Sequence, residues 1–127
     1  MHRRYLHLYL LLIFLCLSAG YLYAQKSSIK DTISVYTIIA RADQLAAVGL
    51  LDSALKINAT AVEQSRKLKF ERGEGYAVLK NAELLFKKSE NSIVLHYDSL
   101  ALKIALQLQD GPLLAAVYHQ MGLHASY

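Results

Sequence analysis

The sequence predicts an all-α fold built from helical hairpins. From Asp31 onward, apolar residues recur every three or four positions, which is the spacing of one face of an α-helix. No stretch sustains the alternation of apolar and polar residues that is typical of a β-strand. Glycine, proline and short polar stretches interrupt the helical pattern and divide the chain into five segments of roughly 14 to 18 residues.

The N-terminal segment, residues 1–24, differs from the rest and predicts an export signal. Residues 1–4 form a basic head, and residues 8–17 are ten consecutive apolar or aromatic residues. Arg3 and Arg4 favour the cytoplasmic side of a membrane, so the remainder of the chain is expected on the far side, in the periplasm.

Two outcomes are open for this leader. Cleavage is expected after Ala24 or, alternatively, after Gly20, and residues 25–34 would then form a linker. Without cleavage, residues 5–24 are long enough to cross roughly 30 Å of hydrocarbon and would anchor the chain in the membrane.

Composition excludes several classes of protein. Without Arg3 and Arg4, 12 basic residues oppose 10 acidic ones, and the basic residues near the middle of the chain alternate with glutamates. No surface that follows a phosphate backbone is therefore predicted, and nucleic-acid binding by this segment is excluded. The one cysteine, Cys16, lies in the leader, so no disulfide is predicted beyond it.

The first two helical segments flank Gly49. The first contains the β-branched residues 33–39, which weaken the helical pattern locally, and it ends at Gly49. The second ends near Gly73 and Gly75, which predict a turn between helices.

The last three segments have polar boundaries. Polar residues 89–92 separate the third segment from the fourth, and Asp110 and Gly111 end the fourth. Pro112 suits the start of the fifth segment, because the first helical turn does not need its missing N–H.

The chain contains an internal repeat. Residues 35–74 and 75–114 form two units of equal length, and residues 115–127 begin a third. Bulky and small residues recur at equivalent positions: Tyr36 and Tyr76, Ile38 and Val78, Ala42 and Ala82, Leu45 and Leu85, Ala61 and Ala101, Leu68 and Leu108.

The recurring alanines predict close helix packing. Each hairpin has one apolar face that it buries only against its neighbours, and small residues at Ala42, Ala61, Ala82 and Ala101 let the helices approach. With two and a half units present, we expect this sequence to be the front of a longer protein, with Tyr118 and its neighbours incompletely buried.

These residues resemble the tetratricopeptide repeat, whose helix-turn-helix units favour a bulky residue, a small residue four positions later, and alanines in the second helix. The resemblance covers residues 35–127 and implies an α-solenoid, with a period of about 40 residues in place of about 34. Its variants with longer helices are similar to the sensor regions of Bacteroidetes signalling proteins. The residues that carry it are Ile38, Ala42, Leu45, Gly49, Leu51, Ala54, Ala61, Val78, Ala82, Leu85, Ser89, Val94, Ala101, Tyr118, Met121 and Gly122.

The resemblance also implies a concave surface formed by the first helices of the units. This surface would bind an extended peptide or a partner helix. Its residues would be Tyr36, Ile39, Asp43, Tyr76, Leu79, Glu83, Lys87, His119 and Leu123.

No catalytic, cofactor or metal site is predicted. His119 and His124 would lie about 140° apart on a helix, which does not suit a shared metal ion, and both are interpreted as solvated or groove-facing. Asp43 and Glu83 resemble a carboxylate pair, but their equivalent positions explain them better as repeated surface residues. Tyr97 and Tyr118 are interpreted as core residues at helix crossings.

We therefore expect a non-catalytic module that binds a protein or peptide without a cofactor. The resemblance implies the extracytoplasmic sensing region of a larger membrane signalling protein, such as a histidine kinase or a transcriptional regulator. The alternatives are a free-standing periplasmic or secreted scaffold and, in a different class, an α-helical enzyme.

Overall fold

The computed structural model describes the backbone of residues 2–126 and the side chains of residues 7–21 and 29–126. Over this range the chain is all-helical, which confirms the predicted class. The five helices are α1 (His2–Ala47), α2 (Leu51–Lys67), α3 (Glu71–Lys87), α4 (Asn91–Leu108) and α5 (Gly111–His124).

The chain divides into two compact units, Met1–Asp31 and Thr32–Tyr127. In the first unit, the apolar residues 8–17 are solvent-exposed, and Phe14 exposes 74% of its surface. Nowhere in the described residues is a helix both long enough and apolar enough to cross a membrane. Residues 25–34, where the sequence predicts a linker, are part of α1. The side chains of the basic head and of Ala24 lie outside the described residues.

In the second unit, four similar turns separate the helices. Their left-handed residues are Gly49, Lys69, Ser89 and Gln109, with φ between 52° and 82°. At each turn, this residue donates its N–H to the carbonyl three positions earlier, and the next residue donates to the carbonyl five positions earlier, at 2.8 to 3.2 Å. This is the Schellman arrangement, which satisfies the last carbonyls of each helix. The turns therefore recur at a regular interval along the chain.

The turn predicted at Gly73 and Gly75 is wrong, because both glycines lie inside α3 and are buried. The chain turns at Lys69 instead. Gly75 is needed for close approach: a Cβ built there would lie 2.6 Å from Leu113 Cδ2 and 3.1 Å from Ile104 Cγ2. Glycine therefore marks a helix contact at this position, not a helix end.

We call residues 32–47 of α1, together with α3 and α5, the first helices, and α2 and α4 the second helices. The helix α3 is central and contacts α2, α4 and α5. Ala42 packs with Ala54 and Leu84, which joins residues 32–47 to α2 and α3. The four alanines predicted at helix crossings, Ala42, Ala61, Ala82 and Ala101, are all completely buried, as predicted.

Each second helix also buries a polar residue at the same position of the repeat. Asn58 on α2 and Asp98 on α4 are equivalent in the two units, and both are 0% exposed. Asn58 Nδ2 donates to the Ala77 carbonyl at 2.7 Å and to Asn81 Oδ1 at 2.8 Å, so it joins α2 to the next first helix. Asp98 Oδ2 lies 2.6 Å from His124 Nδ1 and joins α4 to α5 in the same way.

The left-handed turns predict a stabilising substitution. Lys69→Gly and Gln109→Gly should each raise the free energy of unfolding by about 0.5–1 kcal/mol. A residue with a Cβ costs about 1–2 kcal/mol in the left-handed conformation, and glycine removes this strain. Part of the gain is lost because glycine gives the unfolded chain more conformational entropy. Urea unfolding followed by circular dichroism measures the change. The control Lys56→Gly, inside α2, should instead lower stability by about 1 kcal/mol. Destabilisation by all three glycines would contradict the left-handed assignment.

Candidate functional site

The first helices together line one groove of about 350 Å³ in the second unit. Three helices contribute, and no second helix does. The lining residues are Tyr36, Ile39, Asp43, Tyr76, Leu79, Lys80, Glu83, Ala116, His119 and Gln120.

The repeat explains why these side chains meet. Tyr36, Tyr76 and Ala116 lie at one position of the repeated unit, and Ile39, Leu79 and His119 lie at the next one along the helix face. Because residues three and four positions apart share a helix face, each first helix presents the same short stripe to the groove.

The groove floor is apolar and fixed in place. Ile39 and Leu79 are 9% and 6% exposed and belong to the main hydrophobic core. Gln120 is buried beside them, and its Nε2 donates to the Leu79 carbonyl at 3.3 Å. A side chain that enters the groove therefore meets a rigid apolar surface with a polar group at its edge.

One wall carries a balanced charge network. Lys80 Nζ lies 2.6 Å from Asp43 Oδ1 and also pairs with Glu83, while Lys87 Nζ lies 2.7 Å from Glu83 Oε1. Burial alone would lower the pKa of Lys80, but hydrogen bonds to Asp43 and Glu83 outweigh it and raise that pKa. Burial alone would raise the pKa of Glu83, but hydrogen bonds from both lysines outweigh it and lower that pKa. Lys80 and Glu83 therefore stay charged near neutral pH.

The other end of the groove is aromatic. The Tyr36 ring meets Phe70 and Tyr76 edge-on, with centroids 5.7 and 6.1 Å apart. Arg72 lies over the Tyr76 ring at 5.9 Å and pairs with Asp110 at 2.6 Å. Burial raises the pKa of Tyr36, and the positive charge of Arg72 opposes this rise.

Asp110 connects this end of the groove to α5. Its Oδ1 accepts the backbone N–H of Leu113 at 3.0 Å, so it is the N-cap of that helix. Its Oδ2 holds the Arg72 guanidinium, and Pro112 occupies the first helical turn as predicted.

The structure brings seven of the nine residues predicted for the concave surface into this groove. The other two lie elsewhere: Lys87 is exposed and supports Glu83, and Leu123 is 49% exposed outside the lining. Sequence reasoning missed Lys80, Ala116 and Gln120. The register of the repeat could have indicated Ala116, since it is the equivalent of Tyr36 and Tyr76.

Two interpretations of single residues are wrong. His124 is neither solvated nor in the groove, because its side chain is 5% exposed and lies against Asp98 and the Phe86 ring. Tyr118 is 55% exposed, so its interpretation as a core residue is wrong, whereas its expected incomplete burial is observed. Tyr97 is half-buried and packs on the core. Among the described side chains, no three His, Cys, Asp or Glu residues are placed to share a metal ion.

Searches against protein-family models, curated proteins and solved structures found no match. The resemblance to the tetratricopeptide repeat therefore rests on the residues of this chain.

Proposed function

We propose that this chain is a non-catalytic interaction module of the tetratricopeptide type that binds an extended peptide in the groove. The observation that supports this most is the origin of the groove. Three successive first helices contribute equivalent positions to one continuous surface. A surface with the same positions repeated along its length suits an extended peptide, because the peptide backbone also presents its side chains at regular intervals.

The chemistry of the groove indicates how such a peptide would be recognised. Lys80 and Glu83 already have partners within the chain, so a ligand gains little by adding charge at this wall. The apolar floor at Ile39 and Leu79 and the aromatic end at Tyr36 and Tyr76 offer burial for two side chains. The preferred ligand is therefore a peptide with apolar or aromatic anchors and little net charge.

The proposed setting is the extracytoplasmic sensing part of a larger membrane signalling protein. The basic head and the apolar residues 8–17 support export of the rest of the chain. A free-standing exported scaffold is the alternative, and both would use the same groove.

In the test, the 127-residue chain is the immobilised target, and binding peptides are selected from a displayed random peptide library. The Kd of each selected peptide is then measured for the unchanged chain and for its variants. His119 is exposed in the groove, so His119→Trp should fill the groove without disturbing the core. We expect binding to weaken about tenfold or more, which corresponds to about 1.4 kcal/mol.

His96→Trp is the matched control, because His96 is exposed on α4 and does not line the groove. It should leave the Kd of the same peptides unchanged. If the selected peptides bind His119→Trp as tightly as the unchanged chain, the groove is not their site and the proposed function is wrong.

A further inference from the structure

We propose that the outer face of α5, formed by Ala115, Tyr118, Gly122 and Ala125, binds an amphipathic helix that presents small residues, as α4 does on α3. This surface is separate from the groove, and the inference does not depend on the proposed function.

The same face of the two preceding first helices is covered. On residues 32–47 of α1 it consists of Val35, Ile38, Ala42 and Leu45, and on α3 it consists of Gly75, Val78, Ala82 and Leu85. None of these eight residues is exposed; Ala42 and Ala82 are 0% exposed, and Val78 is 1% exposed.

Second helices provide the cover. Ala42 of α1 packs with Ala54 of α2, and Ala82 and Leu85 of α3 pack with Val94 of α4. Gly75 lies against Ile104 of α4 and Leu113 of α5. One kind of interface therefore occurs twice in this chain, at equivalent positions of the two units.

The third copy of the face, on α5, is open. All four of its residues are exposed, and Tyr118 exposes 55% of its surface. A Cβ added at Gly122 would meet nothing within 4 Å, although Ala82, the equivalent residue on α3, is completely buried. The face thus continues an established series of interfaces, and within the described residues no second helix covers it.

The covering helices define the chemistry of the partner. Each buries a stripe with the same spacing, and the side chains in it are small or carry one polar group. Ala54 and Val94 pack on the covered face, whereas the polar members contact the next first helix. The stripes are Ala54, Asn58, Ala61 and Ser65 on α2, and Val94, Asp98, Ala101 and Ala105 on α4. A helix with such a stripe can approach Gly122 closely, and the bulk of Tyr118 would pack beside it.

The test uses the chain's own second helix as the probe. A labelled synthetic peptide with the sequence of residues 88–109 is titrated into the full chain, with fluorescence anisotropy as the readout. In a second format, a copy of residues 88–109 is appended directly after Tyr127, which keeps the register of the repeat. The appended copy should raise the midpoint of urea unfolding.

Gly122→Leu fills the open space that the partner needs and leaves the existing packing untouched. We expect Gly122→Leu to raise the Kd of the peptide at least tenfold. It should also abolish the increase in the urea midpoint that the appended copy gives. Gly111→Leu is the matched control, because Gly111 is also exposed with open space around it. It should change neither result.

Three outcomes would overturn the proposal. One is the absence of both peptide binding and stabilisation by the appended copy. Another is equal binding to the Gly122→Leu and Gly111→Leu variants, which would show that the peptide displaces α4 instead. The third is self-association in sedimentation equilibrium that Gly122→Leu abolishes while the peptide does not bind, which would assign the face to a second copy of the chain.

Discussion

Gly75→Ala should lower the free energy of unfolding by about 1–3 kcal/mol, although alanine is the better helix former by about 1 kcal/mol. The new methyl group would lie 2.6 Å from Leu113 Cδ2 and 3.1 Å from Ile104 Cγ2. The first distance is shorter than any normal contact between two non-bonded carbon atoms. Leu113 is completely buried and cannot move aside without displacing its neighbours. Urea unfolding of the full chain measures the loss.

A double-mutant cycle identifies the contact responsible. Leu113→Ala alone should cost about 2–5 kcal/mol, as a buried leucine truncation does. In the Gly75→Ala chain, Leu113→Ala should lower the free energy of unfolding less, because the shortened side chain makes room for the new methyl group. The difference between the two backgrounds is the coupling energy, which should be about 0.5–3 kcal/mol. Gly122→Ala is the control: with open space around it, it should stabilise the chain by up to about 1 kcal/mol. Strictly additive effects of the two changes would disprove the contact.

The spacing of apolar residues predicts the helices, and the resemblance to the tetratricopeptide repeat implies most of the groove. The repeat superposes Tyr36 on Tyr76 and Ala42 on Ala82, and the structure places these pairs at equivalent sites. Hydrophobic spacing defines which side of each helix is buried. The adjacent groove stripe, which includes Ile39 and its equivalents, is what the resemblance to the tetratricopeptide repeat implies.

Turns and single side chains are harder to predict. Three of the four left-handed residues are not glycine. Ser89 and Gln109 lie in or beside polar stretches that mark a boundary, but Lys69 gives no local signal, and Gly75 gives a false one. The fate of His124 depends on a partner 26 positions earlier, Asp98, whose burial is decided by packing between helices. Helical periodicity cannot predict such contacts, because it describes the spacing of residues within one helix and not the pairing of side chains between helices.

The buried pair of Asp98 and His124 gives the prediction with the largest effect. His124→Ala should lower the free energy of unfolding by about 3–5 kcal/mol, because it leaves the buried side chain of Asp98 without its hydrogen-bond partner. The side chains are 0% and 5% exposed, and Asp98 Oδ1 has no hydrogen-bond partner among the described residues. Without the imidazole, neither carboxylate oxygen would keep a partner there. Urea unfolding again measures the change, with the exposed His96→Ala as the matched control.

Asp98→Asn should remove most of this loss of stability, because the chain already contains an asparagine at the equivalent position of the other unit. Asn58, the equivalent residue on α2, is just as buried and holds the next first helix through its amide. By the register of the repeat, we expect an amide at position 98 to donate to the carbonyl of Val117, which is the equivalent of Ala77 on α5. In the Asp98→Asn chain, His124→Ala should therefore cost about 1 kcal/mol, the value of an ordinary hydrogen bond. An equal cost in both chains would mean that His124 acts by packing against Phe86 and not through its contact with Asp98.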